Sequence, residues 1–131
     1  MESVKKIIAQ FPEMQFQEEG VQYPTLEIVP EKVHEVAYKL KYEGGFDYLS
    51  TLIGMDWGEN LGVLYYISPS TDLSKIIILK TSTSDRENPQ LHTVCDIWET
   101  ANLNEREVYG MFGIKFINHP DMRRLFLNDN W

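Results

Sequence analysis

Cysteine is the scarcest informative residue in this sequence: the only one is Cys95. One thiol cannot close an internal disulfide, and it falls short of the roughly four thiolates that hold an iron-sulfur cluster. Contiguous cofactor signatures are missing as well: there is no Cys-x-x-Cys, no His-Glu-x-x-His, no Gly-x-x-x-x-Gly-Lys and no Gly-x-Gly-x-x-Gly. No cofactor and no metal are therefore expected in this chain. Positive charge is also in short supply. Twelve Lys and Arg stand against twenty Asp and Glu, a formal charge of −8. The basic residues are dispersed apart from short pairs such as Arg123-Arg124, which speaks against a phosphate-binding surface and so against nucleic acid or anionic lipid as a partner. No run approaches the about 18 apolar residues of a membrane span, and residues 76–79 have only the length of a buried strand. The opening residues Met1-Glu2-Ser3-Val4-Lys5-Lys6 lack the apolar stretch of a signal peptide. With a single thiol, this points to a reducing, cytoplasmic setting, with any membrane association made through another protein.

What is present is the pattern of a globular domain, expected to span residues 1–131 and to bury roughly two thirds of the surface that its unfolded chain exposes. Val4, Ile7, Ile8 and Phe11 fall at helical spacing before Pro12 stops them. Residues 21–29 are rich in strand formers, with Pro24 pushing them toward a sheet edge. Val33, Val36, Ala37 and Leu40 repeat as a helix face over 31–42, and Gly44-Gly45 ends it. Three strands follow, at 46–56, 61–68 and 73–82. They are separated by short turn-rich breaks, so the simplest arrangement is an antiparallel meander. The polar segment 84–90, with Pro89, reads as a loop. Thr93, three residues before Asp96, resembles a capping box opening a third helix. The fold class is α+β: a small, mainly antiparallel sheet packed with helices on one side.

The third helix leads into the most unusual stretch, residues 105–127, where charges of both signs mix with aromatics, glycines and a His-Pro pair. At about 100° per residue, Val94, Ile97, Trp98, Ala101 and Val108 form one apolar stripe, with Glu105 near its middle and Arg106 and Glu107 to either side. A carboxylate on a buried stripe is costly unless it is paired and hydrogen-bonded. Glu105 or Glu107 is expected to pair with Arg123 or Arg124, pinning segment 110–122 against the helix; a solvated charge run at a helix end is the plainer alternative, and nothing lifts Glu107 above it. Gly110 is placed to cap the helix after Tyr109. His119, preceding Pro120, suits packing or a local hydrogen bond. Cys95 reads as a small packing residue, and Trp57, Tyr65, Tyr66 and Trp98 as core or interface aromatics. Acid-base catalysis by Glu105, Glu107 and His119 would need a pocket and a shifted pKa, which a sequence does not display.

Glu105-Arg106-Glu107, Met111-Phe112, His119, Arg123 and Leu125, in this order and spacing, resemble the signature of the respiratory complex I 30 kDa subunit family, also called the C subunit of NADH-quinone oxidoreductase. Thr93-Val94, Ile97-Trp98, Ala101-Asn102, Phe112-Gly113-Ile114 and His119-Pro120-Asp121-Met122-Arg123-Arg124 strengthen the resemblance, which covers residues 46–131. Gly110 stands where the family usually has an acidic residue, Leu103 replaces a common tryptophan, and many members continue with a tail beyond the equivalent of Trp131.

The resemblance implies a subunit without its own redox centre, in the hydrophilic arm of a proton-pumping complex that passes electrons from NADH to quinone. It would sit on the cytoplasmic side of the inner membrane. Its partners would be the large (49 kDa-type) subunit that helps form the quinone site and other subunits of that arm. The motif residues Glu105, Arg106, Glu107, Met111, Phe112, His119, Pro120, Arg123 and Arg124 would support that contact, with none of them catalytic. A subunit of a membrane-bound hydrogenase-type or other quinone- or ferredoxin-linked complex is the nearest alternative; a self-contained enzyme and an unrelated interaction domain are the others.

Overall fold

The computed structural model describes residues 2–120. Helix α1 (Glu2–Ala9) turns Val4 and Ile7 fully inward, with Phe11 buried just beyond it. Two three-residue strands follow, β1 (Gln15–Gln17) and β2 (Thr25–Glu27), so the strand expected over 21–29 is confined to its centre. A 3-10 turn at Pro30–Lys32 opens α2 (Val33–Tyr42), whose buried face is the expected one: Val33, Val36, Ala37 and Leu40. Gly45, at φ 80°, closes that helix by donating to the Lys41 carbonyl, while the Phe46 amide returns to Leu40. A left-handed residue of this kind suits glycine because it carries no Cβ.

Strands β3 (Tyr48–Asp56), β4 (Leu61–Ser68) and β5 (Ile77–Thr83) form the expected antiparallel meander. The sheet does not end at β5. Strand β2 adds to it in parallel and β1 pairs antiparallel outside, giving the order β1-β2-β5-β4-β3. One inward row crosses all five strands: Phe16, Leu26, Leu79, Tyr65 and Leu52 are register partners in turn. Except for Phe16, all are buried. Each such aliphatic side chain contributes about 1.5–3 kcal/mol on burial, so this row ties non-sequential strands into one core.

The third helix starts later than its sequence suggests. Thr93 does not cap it. A single turn, with the Ile97 and Trp98 amides both donating to the Val94 carbonyl, precedes α3 proper (Ala101–Phe112). The apolar stripe nevertheless survives, because that turn abuts the helix: Val94, Ile97, Trp98, Ala101, Glu105 and Val108 are all buried. The linking segment is fastened by side chains. Trp98 Nε1 donates to the Phe46 carbonyl at 3.0 Å, Thr100 Oγ1 to Leu49 at 3.1 Å, and Lys41 Nζ to Ile97 at 2.6 Å.

Gly110 is not the cap either. The helix continues to Phe112, and Gly113 ends it at φ 74° with its amide on the Tyr109 carbonyl. Beyond it, β7 (Lys115–Ile117) pairs in parallel with β6 (Gln90–His92), so part of the expected loop at 84–90 and part of segment 110–122 are strands. Helix α3 thus bridges two parallel strands, and it seats on the main sheet at Gly54. A Cβ there would fall 2.6 Å from the Phe112 ring and 3.1 Å from Val108, so only glycine admits the helix this close.

Candidate functional site

The β6–α3–β7 unit encloses the one charged side chain that is fully buried among the described residues, Glu105, at 0 % exposure. Its carboxylate is held from β6's end of the unit. The Thr93 hydroxyl donates to Oε1 and the Val94 amide to Oε2 at 2.9 Å. Thr93 Oγ1 in turn accepts the Cys95 amide at 3.1 Å, so the residues after β6 fold into a cradle around the carboxylate. From the other side, β7 delivers His119. Its Nε2 stands 3.7 Å from Glu105 Oε1 and 3.2 Å from the Asn102 carbonyl, and both the His119 and Glu105 side chains are enclosed.

Burial dominates the electrostatics. It pushes the Glu105 carboxyl up from 4.5 to about 7, with the Thr93 and Val94 hydrogen bonds opposing the rise and Asp96 adding to it. The Cys95 thiol is likewise raised by burial, despite a Thr93 hydrogen bond, with the charges of Glu105 and Asp96 contributing. Tyr65 rises well above its ordinary range through burial and then through the charge of Glu105. The Tyr65 hydroxyl and the Asn102 side-chain oxygen are buried and have no hydrogen-bond partner among the described residues. Glu105 therefore occupies a polar inclusion in an otherwise apolar core.

Beside this inclusion lies a cleft of about 510 Å³ whose walls include Thr93, Cys95, Asp96, Asn102, His34 and His92. On its rim, His34 Nε2 meets Asp96 Oδ2 at 2.8 Å, and the His34 and His92 rings lie 4.4 Å apart. Asn118 Nδ2 holds His92 Nε2 at 3.1 Å.

The family-type motif divides between two environments. Glu105 and His119 point inward and meet, and Phe112 packs over Gly54. Arg106 is half-buried. Glu107 is exposed and accepts a helix-surface bond from Asn104 at 3.2 Å. Met111 is 70 % exposed and Leu103 58 %, while Pro120 lies at the surface. Arg123 and Arg124, the expected ion-pair partners, lie outside the described residues. Sequence reasoning missed three members of the site. Thr93 looked like a cap, Cys95 like filler, and Val94 acts through its backbone amide.

The family model for "Respiratory-chain NADH dehydrogenase, 30 Kd subunit" matches residues 26–131. The chain belongs to that family. A relative from Phocaeicola vulgatus, the C/D subunit of NADH-quinone oxidoreductase, is 51 % identical over 107 residues, covering 81 % of this chain and 20 % of the relative. The C subunit of NADH-quinone oxidoreductase from Moorella thermoacetica is 28 % identical over 123 residues, covering 92 % of this chain and 81 % of the relative. The chain spans about one fifth of the length of the C/D relatives that it matches. Its fold matches the solved trypsin-resistant fragment of Nqo5 with a TM-score of 0.72 and 26 % identity, over 91 % of this chain and 98 % of the fragment. The relatives are subunits of an oxidoreductase complex. Among the described residues no helix is long and apolar enough to cross a membrane.

Proposed function

We propose that this chain is a non-redox assembly subunit in the hydrophilic arm of a proton-translocating NADH-quinone oxidoreductase, docked on the large subunit near the quinone site. The observation that carries the proposal is the division of the motif. Its inward half is consumed in a buried network that sets the position of α3. Its outward half leaves Leu103, Met111 and Glu107 on a helix face with no described cover. A shallow groove of about 220 Å³ runs beside that face, between α3 and the edge strand β3, with Ile53, Met111 and Phe112 among its walls. An exposed Met and an exposed Leu on one helix face, beside an apolar-walled groove and rimmed by polar groups, fit a surface that a protein partner covers.

The C/D relatives support the choice of partner. In them a region like this chain shares one polypeptide with about four times as much further sequence. A fusion of that kind suits two parts that work in contact. The motif residues Arg106, Glu107, Met111, Pro120, Arg123 and Arg124 belong to this docking role, and Glu105, Phe112 and His119 hold α3, which carries Arg106, Glu107 and Met111. On this reading the chain transfers no electrons itself, holds no redox cofactor, and reaches the cytoplasmic face of the membrane only through its partners.

The test is co-purification. The affinity-tagged chain, expressed in its native host and isolated in mild detergent, is expected to bring down the large subunit and the iron-sulfur subunits of an NADH dehydrogenase. Recovery with hydrogenase subunits would reassign the parent complex. Recovery with soluble proteins alone would contradict the reading.

A further inference from the structure

We propose that Cys95, Glu105 and His119 form a binding site for a borderline-soft divalent cation, zinc foremost, with a fourth position open to the adjoining cleft. The site is independent of the docking reading and adds no redox centre. The Cys95 thiol, a Glu105 carboxylate oxygen and a His119 ring nitrogen lie within 4.8 Å of one another. A sulfur, a nitrogen and an oxygen make the mixed donor set that zinc accepts, and three protein ligands with an open fourth position are a known zinc arrangement.

Distances agree with the chemistry. His119 Nε2 and Glu105 Oε1, at 3.7 Å, stand too far apart for a hydrogen bond. With metal-ligand bonds of about 2.1 Å, a tetrahedral centre separates its nitrogen and oxygen ligands by about 3.4 Å. Drawing the three donors onto one ion requires only movements within the 4.8 Å that they already span.

The surroundings are those of a prepared ligand. The Thr93 hydroxyl and the Val94 amide fix the carboxylate from behind, as groups outside a metal's ligand set commonly do, and Oε1 retains lone-pair capacity toward His119. A cation there offsets the cost of a carboxylate buried at 0 % exposure. Cys95 and Asn102 also line the cleft, giving a path for the ion and room for a water at the fourth position. Binding forms metal bonds to sulfur, nitrogen and oxygen. It releases the thiol proton, and any proton on the Glu105 carboxyl, to solvent, and the Nε2 proton that His119 donates to the Asn102 carbonyl moves to Nδ1, freeing the Nε2 lone pair for the metal. No electron is transferred.

The cleft's rim holds a competing set, His34, Asp96 and His92, which makes the assignment testable by variants. The purified full chain is titrated with zinc against a chromophoric chelator, and separately with cobalt(II), whose bond to a thiolate gives near-ultraviolet charge-transfer absorption. One equivalent bound with that absorption is expected. Cys95→Ser and His119→Gln should each weaken zinc binding at least about tenfold. Cys95→Ser should also remove the absorption, whereas His34→Gln should change neither. Zinc should slow alkylation of Cys95 in the unaltered chain, a measurement that needs no variant to fold. Absence of binding by the folded chain, alkylation unaffected by bound zinc, or loss of binding in His34→Gln but not in Cys95→Ser would each overturn the proposal.

Discussion

His119 Nε2 and Glu105 Oε1 face each other at 3.7 Å across the inside of the β6–α3–β7 unit, both side chains enclosed. A residue from just beyond β7 and one from the middle of α3 thereby meet at a buried acid whose oxygens each accept one hydrogen bond, from Thr93 and from Val94. The motif's charges serve the fold here before they serve a partner.

Stability should fall as pH rises through the range set by Glu105. Its folded pKa, about 7, exceeds its ordinary 4.5. Between those values the folded chain keeps a proton that the unfolded chain has lost, so the stabilisation is complete below 4.5 and is lost progressively up to 7. The difference corresponds to about 3 kcal/mol. Urea unfolding midpoints of the metal-free chain, measured across that window, should decline for the wild type. In Glu105→Gln, which cannot titrate, the decline should shrink by this amount. Parallel curves for the two proteins would show that Glu105 does not titrate in the window.

Thr93→Val keeps the side-chain shape but removes the hydroxyl that donates to Glu105 and accepts the Cys95 amide. Leaving two buried polar groups short of a partner should cost about 1–3 kcal/mol in chemical denaturation. Because that hydroxyl holds the Glu105 carboxyl down, its loss should also carry the pH-dependent decline to higher pH. A variant as stable as wild type, with an unshifted decline, would refute the cradle.

Gly54→Ala should destabilise the chain by about 1–3 kcal/mol, because the new methyl meets the Phe112 ring at 2.6 Å and Val108 at 3.1 Å. Trimming the opposing side chain in Gly54→Ala/Phe112→Leu should recover part of the loss. Thermal melts of Gly54→Ala, Phe112→Leu and the double variant decide it: additive damage would mean that α3 does not seat on β3 at this point.

The sequence disclosed what repeats and concealed what meets only in three dimensions. Periodicity placed the α2 face and the stripe from Val94 to Val108, including Glu105, because a helix buries one side whatever lies opposite. Alternation and turn residues placed the meander. By contrast, β6 and β7 are three residues each, too short to show a period, and β2 finds β5 across two intervening strands. Thr93 and Asp96 have capping-box spacing, but the hydroxyl's partner is Glu105, twelve positions away in sequence. Cys95 gained meaning only when α3 and β7 brought Glu105 and His119 beside it. The family resemblance, carried by the motif, holds at the level of both family and fold.

Met111 offers the most direct test of the docking account, since at 70 % exposure it contributes little to the fold of the isolated chain. Tagged wild type and Met111→Glu are to be expressed in the native host, checked for equal thermal stability, and compared for the large subunit recovered with each. The account predicts equal melting and a loss of at least about tenfold in recovered large subunit, as for a charge forced into an apolar contact. Recovery of that subunit in undiminished amount by a stably folded Met111→Glu would contradict it.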